Sequence, residues 1–288
     1  MSASSGPVLF VDVAAAGRSD ADAVAKILSI DIYKARLLLN ARVPFLAQGF
    51  PSHGFATKAA EELAASGIPA SAHTADDVNR VPAAVAARAV TKRASAYLFA
   101  TASGTQEVPF DSLRALVQAK LTVKLPDPEP GIGLSLPSLR RPGLADIAGR
   151  IAASAAPRAP VHYWRLDVFA EPRTGECIRL CVRHDHFDFA CLLDRKTLSA
   201  VRNLTALRDE VSRARAKQDV PIDEWFERTE LARSAFADDT WTDLDLRSNT
   251  SRSQAAQSNR AAFESFAATR FLHERTRIPE RADHYFEL

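Results

Sequence analysis

His162-Tyr163-Trp164-Arg165-Leu166-Asp167-Val168-Phe169, a break from Pro172 to Gly175, then Cys177-Ile178-Arg179-Leu180-Cys181-Val182-Arg183 is the stretch whose reading decides the fold. Two short runs rich in apolar and β-branched residues, separated by a Pro/Gly turn signal, read as a strand pair. In extended backbone successive side chains alternate between faces. Cys177, Arg179, Cys181 and Arg183 then share one face, while Ile178, Leu180, Val182, His184 and His186 share the other. Beyond His184-Asp185-His186-Phe187-Asp188-Phe189 the period changes. Leu198, Val201, Leu204, Leu207 and Val211 recur at helical spacing, with Asp194 or Thr197 placed to cap the helix. Two strands covered by one amphipathic helix form a stable two-layer unit.

The same stretch holds all three cysteines and a pair of histidines. Cys177, Cys181, His184, His186 and Cys191 have the composition of a metal site but not its geometry. Cysteines four residues apart on a strand lie roughly 13 Å apart, whereas zinc ligands sit within ~2.3 Å of one ion. The exception is His184 and His186, two apart on one face. That pair is the candidate metal centre, for zinc or another divalent ion, with Asp185 or Asp188 assisting; otherwise it is a polar strand end. Strand alternation separates Cys181 from His184, which argues against a Cys–His nucleophile. The chain has no Gly-x-Gly-x-x-Gly after a strand, no phosphate loop and no Gly-x-Ser-x-Gly elbow. Gly131-Ile132-Gly133 sits in a proline-rich segment with no helix after it. No catalytic residue and no cofactor are assigned, and the expectation is a protein without catalytic activity.

With 288 residues the chain is long enough for two domains. Its net charge of +2 is too small to call for nucleic acid. An odd count of three cysteines points away from a disulfide scaffold and toward a reducing compartment. Met1 to Pro7 is polar and uncharged, without the features of a signal peptide, and no apolar run reaches the ~18 residues of a membrane helix. These features predict a soluble, cytoplasmic protein.

Toward the N-terminus, Val8 to Val13 reads as a strand. Two helices follow, the first capped by Ser19 or Asp20 and running to Leu28, the second capped by Ser29 or Asp31 with Ile32, Ala35, Leu38 and Leu39 inward. Pro44 stops the second helix and Phe45 to Gln48 is a short strand. Thr57 is placed to cap a third helix bearing Ala60, Leu63 and Ala64, with Glu61 and Glu62 near its positive end. Gly67 ends it, and Ile68 to His73 is a strand.

This order, with Ile30-Asp31-Ile32-Tyr33-Lys34-Ala35-Arg36-Leu37-Leu38 at the second helix, resembles the C-terminal domain of the bacterial ribosomal stalk protein. The resemblance covers about the first quarter of the chain, and the adaptor that feeds substrates to bacterial Clp proteases shares a related fold. It implies an α+β scaffold that binds another protein. Asp31 replaces the family's flexible glycine. Asp22 and Ala25 stand where the family places the basic residues that receive translation factors, so the resemblance implies the scaffold rather than that partner. Tyr33, Lys34 and Arg36 form the candidate partner-binding face.

A composition shift over residues 74 to 95 marks a domain boundary near residue 80. Residues 81–217 read as a β-rich, pleckstrin-homology-like domain with a long closing helix, interrupted by a Pro-rich insertion over 122–143. Arg179 and Arg183, with Lys92 and Arg93, are a candidate anion site. Residues 218–288 read as a helical C-terminal extension. Within it Asp238 to Leu246 is an acidic–aromatic peptide able to lay Trp241 and Leu244 into a partner's groove. Ala261, Phe263, Phe266, Ala267 and Phe271 mark a last amphipathic helix whose phenylalanines are core. The fold class is therefore α+β: a small β-α-α-β-α-β unit, a β-rich unit and a helical extension. The predicted function is non-enzymatic binding of another protein.

Overall fold

The structure, a computed structural model, describes residues 7–13, 21–42, 44–47, 50–123, 161–172, 176–215, 219–224 and 259–277. Most of the Pro-rich insertion, and Trp241 and Leu244 with their acidic peptide, lie outside the described residues.

The small unit has the expected order. Strand β1 (Val8–Val11) is followed by helices α1 (Ala21–Leu28) and α2 (Ile32–Ala41), strand β2 (Phe45–Ala47), helix α3 (His53–Ala65) and strand β3 (Ala70–His73). β1 lies between β2 and β3, antiparallel to both. Leu9, Val11 and Val13 face the helices, where they meet Val24, Ala35, Leu38 and Leu63. Asp31 caps α2 by accepting the Tyr33 N–H at 2.7 Å. Gly67, with φ +79°, takes the left-handed turn after α3 that a side chain would strain. Thr57 does not cap α3: the helix already begins at His53, after Ser52, and Thr57 bonds back to the His53 carbonyl at 3.0 Å. Glu61 and Glu62 therefore lie in the second half of the helix, away from its positive end.

The composition shift at residue 74 holds a further helix, α4 (Ala75–Arg80). Thr74 and Asp77 form a reciprocal capping box at its start. The large sheet follows, with strands β4 (Val85–Lys92), β5 (Ala96–Thr101), β6 (Gly104–Pro109), β7 (Leu113–Val123), β8 (Val161–Ala170), β9 (Ile178–Arg183) and β10 (Ile222–Asp223), and helix α5 (Ala200–Ser212) between β9 and β10. Its order is β10-β7-β8-β9-β4-β5-β6, so strands from both sides of the insertion join one mixed sheet, with β4 parallel to β9 and β10 parallel to β7.

The alternation expected of the opening stretch is present. Leu166, Val168, Leu180 and Val182 face α5, packing on its Leu204, Leu207 and Val211. Arg165, Asp167, Phe169, Arg179 and Cys181 belong to the other face, and all are buried. The cap of α5 differs from both candidates. Ser199 accepts the Arg202 N–H, and Thr197 instead hydrogen-bonds Asn203. Leu198 is consequently outside the helix and fully exposed rather than on the buried stripe.

The last helix, α6 (Arg260–Arg277), is the middle layer of the molecule. Phe263, Phe266 and Phe271 pack on Val8 and Phe10 of the small sheet and on Ala115, Val117, Ala119 and Leu121 of the large one. The layers run helices, small sheet, α6, large sheet, α5. The units divided at residue 80 thus meet in one shared hydrophobic cluster, and residues read as an extension supply its centre.

Between β9 and α5, Leu193 has φ 48° and ψ −124° while its side chain is 79% exposed. A β-carbon in that region costs on the order of 1–3 kcal/mol, and no buried contact offsets it. Leu193→Gly is expected to raise stability by about 1 kcal/mol, read as a shift in the urea midpoint. A loss would show that Leu193 makes a contact worth more than its backbone costs.

Candidate functional site

β9 ends at Arg183, paired with Arg165 of β8, and residues 184–186 form a turn rather than more strand. The His186 N–H bonds the Arg183 carbonyl at 3.2 Å, and Arg183 closes the turn with a two-pronged bond to Asp185. His184 and His186 therefore do not share a strand face. His184 Nδ1 accepts the Trp164 N–H at 3.1 Å. Asp185 stands between the two imidazoles, 3.8 Å from His184 Nδ1 and 3.5 Å from His186 Nε2. All three cysteines are free thiols, and burial raises the pKa of each, Cys177 to about 12. A raised pKa keeps each of them mainly in the thiol form at neutral pH.

Of the residues considered as an anion site, Arg179 and Arg183 are matched internally. Arg165 grips Asp167 with both ends of its guanidinium and reaches Glu264 of α6 at 2.6 Å. Arg179 Nε bonds Asp167 at 2.9 Å, and its Nη2 lies 2.6 Å from Glu264. Burial works against the charge of Arg165, but Asp167 and Glu264 outweigh it and raise its pKa. Arg183 lies over the Tyr163 ring beside its Asp185 pair. Lys92 is on a different surface, 3.3 Å from Glu210.

A second polar cluster, absent from the sequence reading, lies where α6 crosses the small sheet. β1 and β3 alternate, so Asp12, just past β1, and Ser71 and His73 of β3 face α6 rather than the helices. From α6 come Arg270, His273 and Glu274, spaced to share one side of a helix. Arg270 Nη1 bonds Asp12 Oδ2 at 2.8 Å, and its Nη2 lies 2.7 Å from Glu274 Oε1. Ser71 Oγ is 2.8 Å from both His73 Nε2 and His273 Nδ1. Burial lowers the pKa of His73 to about 4 and, with Arg270 adding to it, that of His273 to about 3. Both rings are neutral at pH 7.

Asp12, His273 and Glu274 are the one group of three histidine, cysteine or acidic side chains among the described residues whose donor atoms lie within 4.8 Å of one another. The positive charge between the carboxylates is already supplied by Arg270, with Arg277 3.5 Å from Asp12 and from Glu274. The cluster is chemically an ion network that ties α6 to the small sheet.

Tyr33, Arg36 and Leu37 lie on the outer surface of α2. Tyr33 is 71% and Leu37 50% exposed, one helical turn apart, and Lys34 is half-buried beside them. No protein-family model, curated protein or solved structure matches the chain. No helix among the described residues is long and apolar enough to cross a membrane.

Proposed function

We propose that this protein is a non-enzymatic adaptor that binds another protein through the outer face of α2. The observation that carries this reading is the Tyr33–Leu37 pair, two large apolar side chains left to solvent on a helix that buries Ala35 and Leu38 on its other side. Arg36 and Lys34 flank the pair, so the fitting partner offers an apolar surface with an acidic rim. Tyrosine and arginine are among the residues enriched at protein interfaces. The resemblance of this unit to the ribosomal stalk and Clp-adaptor scaffolds supports the same reading, and the Trp241–Leu244 peptide is a second candidate contact.

A Tyr33→Ala/Leu37→Ala double variant is expected to keep the wild-type melting temperature, because neither side chain is buried. It is expected to lose on the order of thirtyfold or more in affinity for the partner that co-purifies with the wild type at 1:1. Equal recovery of that partner by both proteins would exclude α2, and repeated recovery of the bare protein would exclude the adaptor reading.

A second reading rests on Asp185 standing between two histidines, as carboxylates do when they orient metal-binding imidazoles. In it His184 and His186 hold zinc or another divalent ion for catalysis. Elemental analysis of protein purified without chelators, against a His184→Ala/His186→Ala variant, tests it. Substoichiometric metal in both samples ends that reading.

A further inference from the structure

Two buried imidazoles share one hydroxyl in the interior: Ser71 Oγ is 2.8 Å from His73 Nε2 and 2.8 Å from His273 Nδ1. A serine hydroxyl has a single proton to donate. At most one ring can therefore accept from Ser71, and at least one must donate to it. The nitrogen of His273 that faces Asp12 favours one arrangement. His273 Nε2 is buried without a hydrogen-bond partner and lies 4.0 Å from Asp12 Oδ2. A lone pair turned toward that carboxylate is repelled and an N–H is attracted. His273 thus carries its proton on Nε2 and accepts the Ser71 proton at Nδ1. Ser71 Oγ in turn accepts from His73 Nε2–H, which leaves His73 Nδ1 as an unprotonated base.

His73 lines a cleft of about 440 Å³ between α4 and α6, together with Val81, Cys177, Phe271 and Leu272. That volume falls within the ~300–1,000 Å³ of small-molecule sites. The pull of Asp77 on His73 opposes the direction just derived, but Asp77 turns its Oδ2 to the Thr74 N–H and hydroxyl at 2.9 and 2.6 Å. Two arginines also border the cleft, and each has an acidic neighbour: Arg80 lies 3.8 Å from Asp77, and Arg275 3.0 Å from Glu171. The charges balance within the protein, so the walls favour an uncharged guest.

We propose that the cleft binds a small neutral molecule with an apolar body and one N–H or O–H donor, which His73 Nδ1 accepts. The row Asp12–His273–Ser71–His73 fixes the ring that receives it. This site is separate from the outer face of α2.

Two measurements on the unaltered full chain test the proposal. Long-range ¹⁵N–¹H correlation spectra at pH 7 are expected to show His73 protonated on Nε2 and bare on Nδ1; a proton on Nδ1 would overturn it. Titration with phenol is expected to shift His73, Phe271 and Leu272 resonances saturably. Anisole, the same ring without the O–H, is expected to bind about fivefold more weakly, the worth of one neutral hydrogen bond. Equal binding of the two, or no saturable response to phenol, would also overturn it.

Discussion

Between pH 6.5 and pH 4.5 the protein is expected to lose stability with a slope approaching two protons per molecule, roughly 2.7 kcal/mol per pH unit. The sign follows from His73 and His273. Burial first, and for His273 the nearby Arg270 next, depress their folded pKa values to about 4 and about 3 from an ordinary 6.5. Below 6.5 the unfolded chain takes up protons that the folded chain refuses, so stability falls with pH until the folded groups titrate. The surroundings modulate this. Asp77 and Asp12 pull toward protonation, and Arg270, Arg277 and His53 push against it. Glu274, whose pKa is raised by burial, binds its proton more readily when folded and opposes the loss near its lower end. Urea midpoints across this range for the wild type, His73→Gln and His273→Gln are the test. Each variant is expected to remove about one proton from the slope. A flat wild-type profile would mean the two rings are accessible to water and ordinary in their basicity.

Asp167→Asn is expected to cost about 3–5 kcal/mol, the usual penalty for removing one member of a buried ion cluster. Asp167 has no exposed surface, and both Arg165 and Arg179 depend on it. Glu264, half-buried on α6, is then left to balance two guanidinium groups. The loss comes from stranding positive charge more than from losing an attraction. A second substitution that removes one of those charges, Arg179→Met, is therefore expected to recover part of the stability when added to Asp167→Asn. Denaturant unfolding of the two single variants and the double variant measures the coupling. Strictly additive losses, or a single loss below about 1 kcal/mol, would show that water reaches the cluster.

The small unit was legible because its signals are local. Asp31, Pro44 and Gly67 each act on the turn in which they sit, and the order β1-α1-α2-β2-α3-β3 follows from them. The face assignment of Cys177, Arg179 and Cys181 was legible too, since alternation needs only a strand to exist. Its extension to His184 and His186 failed because the end of a strand is set by its neighbour, and β8 pairs β9 only as far as Arg183. Caps were less legible where several candidates crowd together: Thr57 and Thr197 were plausible partners displaced by Ser52 and Ser199. The polar cluster was invisible for a different reason. Asp12, Ser71 and His73 are separated from Arg270, His273 and Glu274 by some two hundred residues, and no spacing rule joins them. One signal existed: Arg270, His273 and Glu274 recur on one side of a helix that otherwise presents phenylalanines. Read together, they marked a helix buried on more than one face.

Helix α6 at the centre has a consequence for how the chain comes off the ribosome. Val8 and Phe10, and the apolar faces of β7 and β8, are made long before residue 260 emerges. Both surfaces must wait for a filler that is synthesised after them. Such late-closing architectures fold slowly and stay vulnerable to clumping during translation. Nascent chains stalled before residue 259 are the species that chaperones should hold longest.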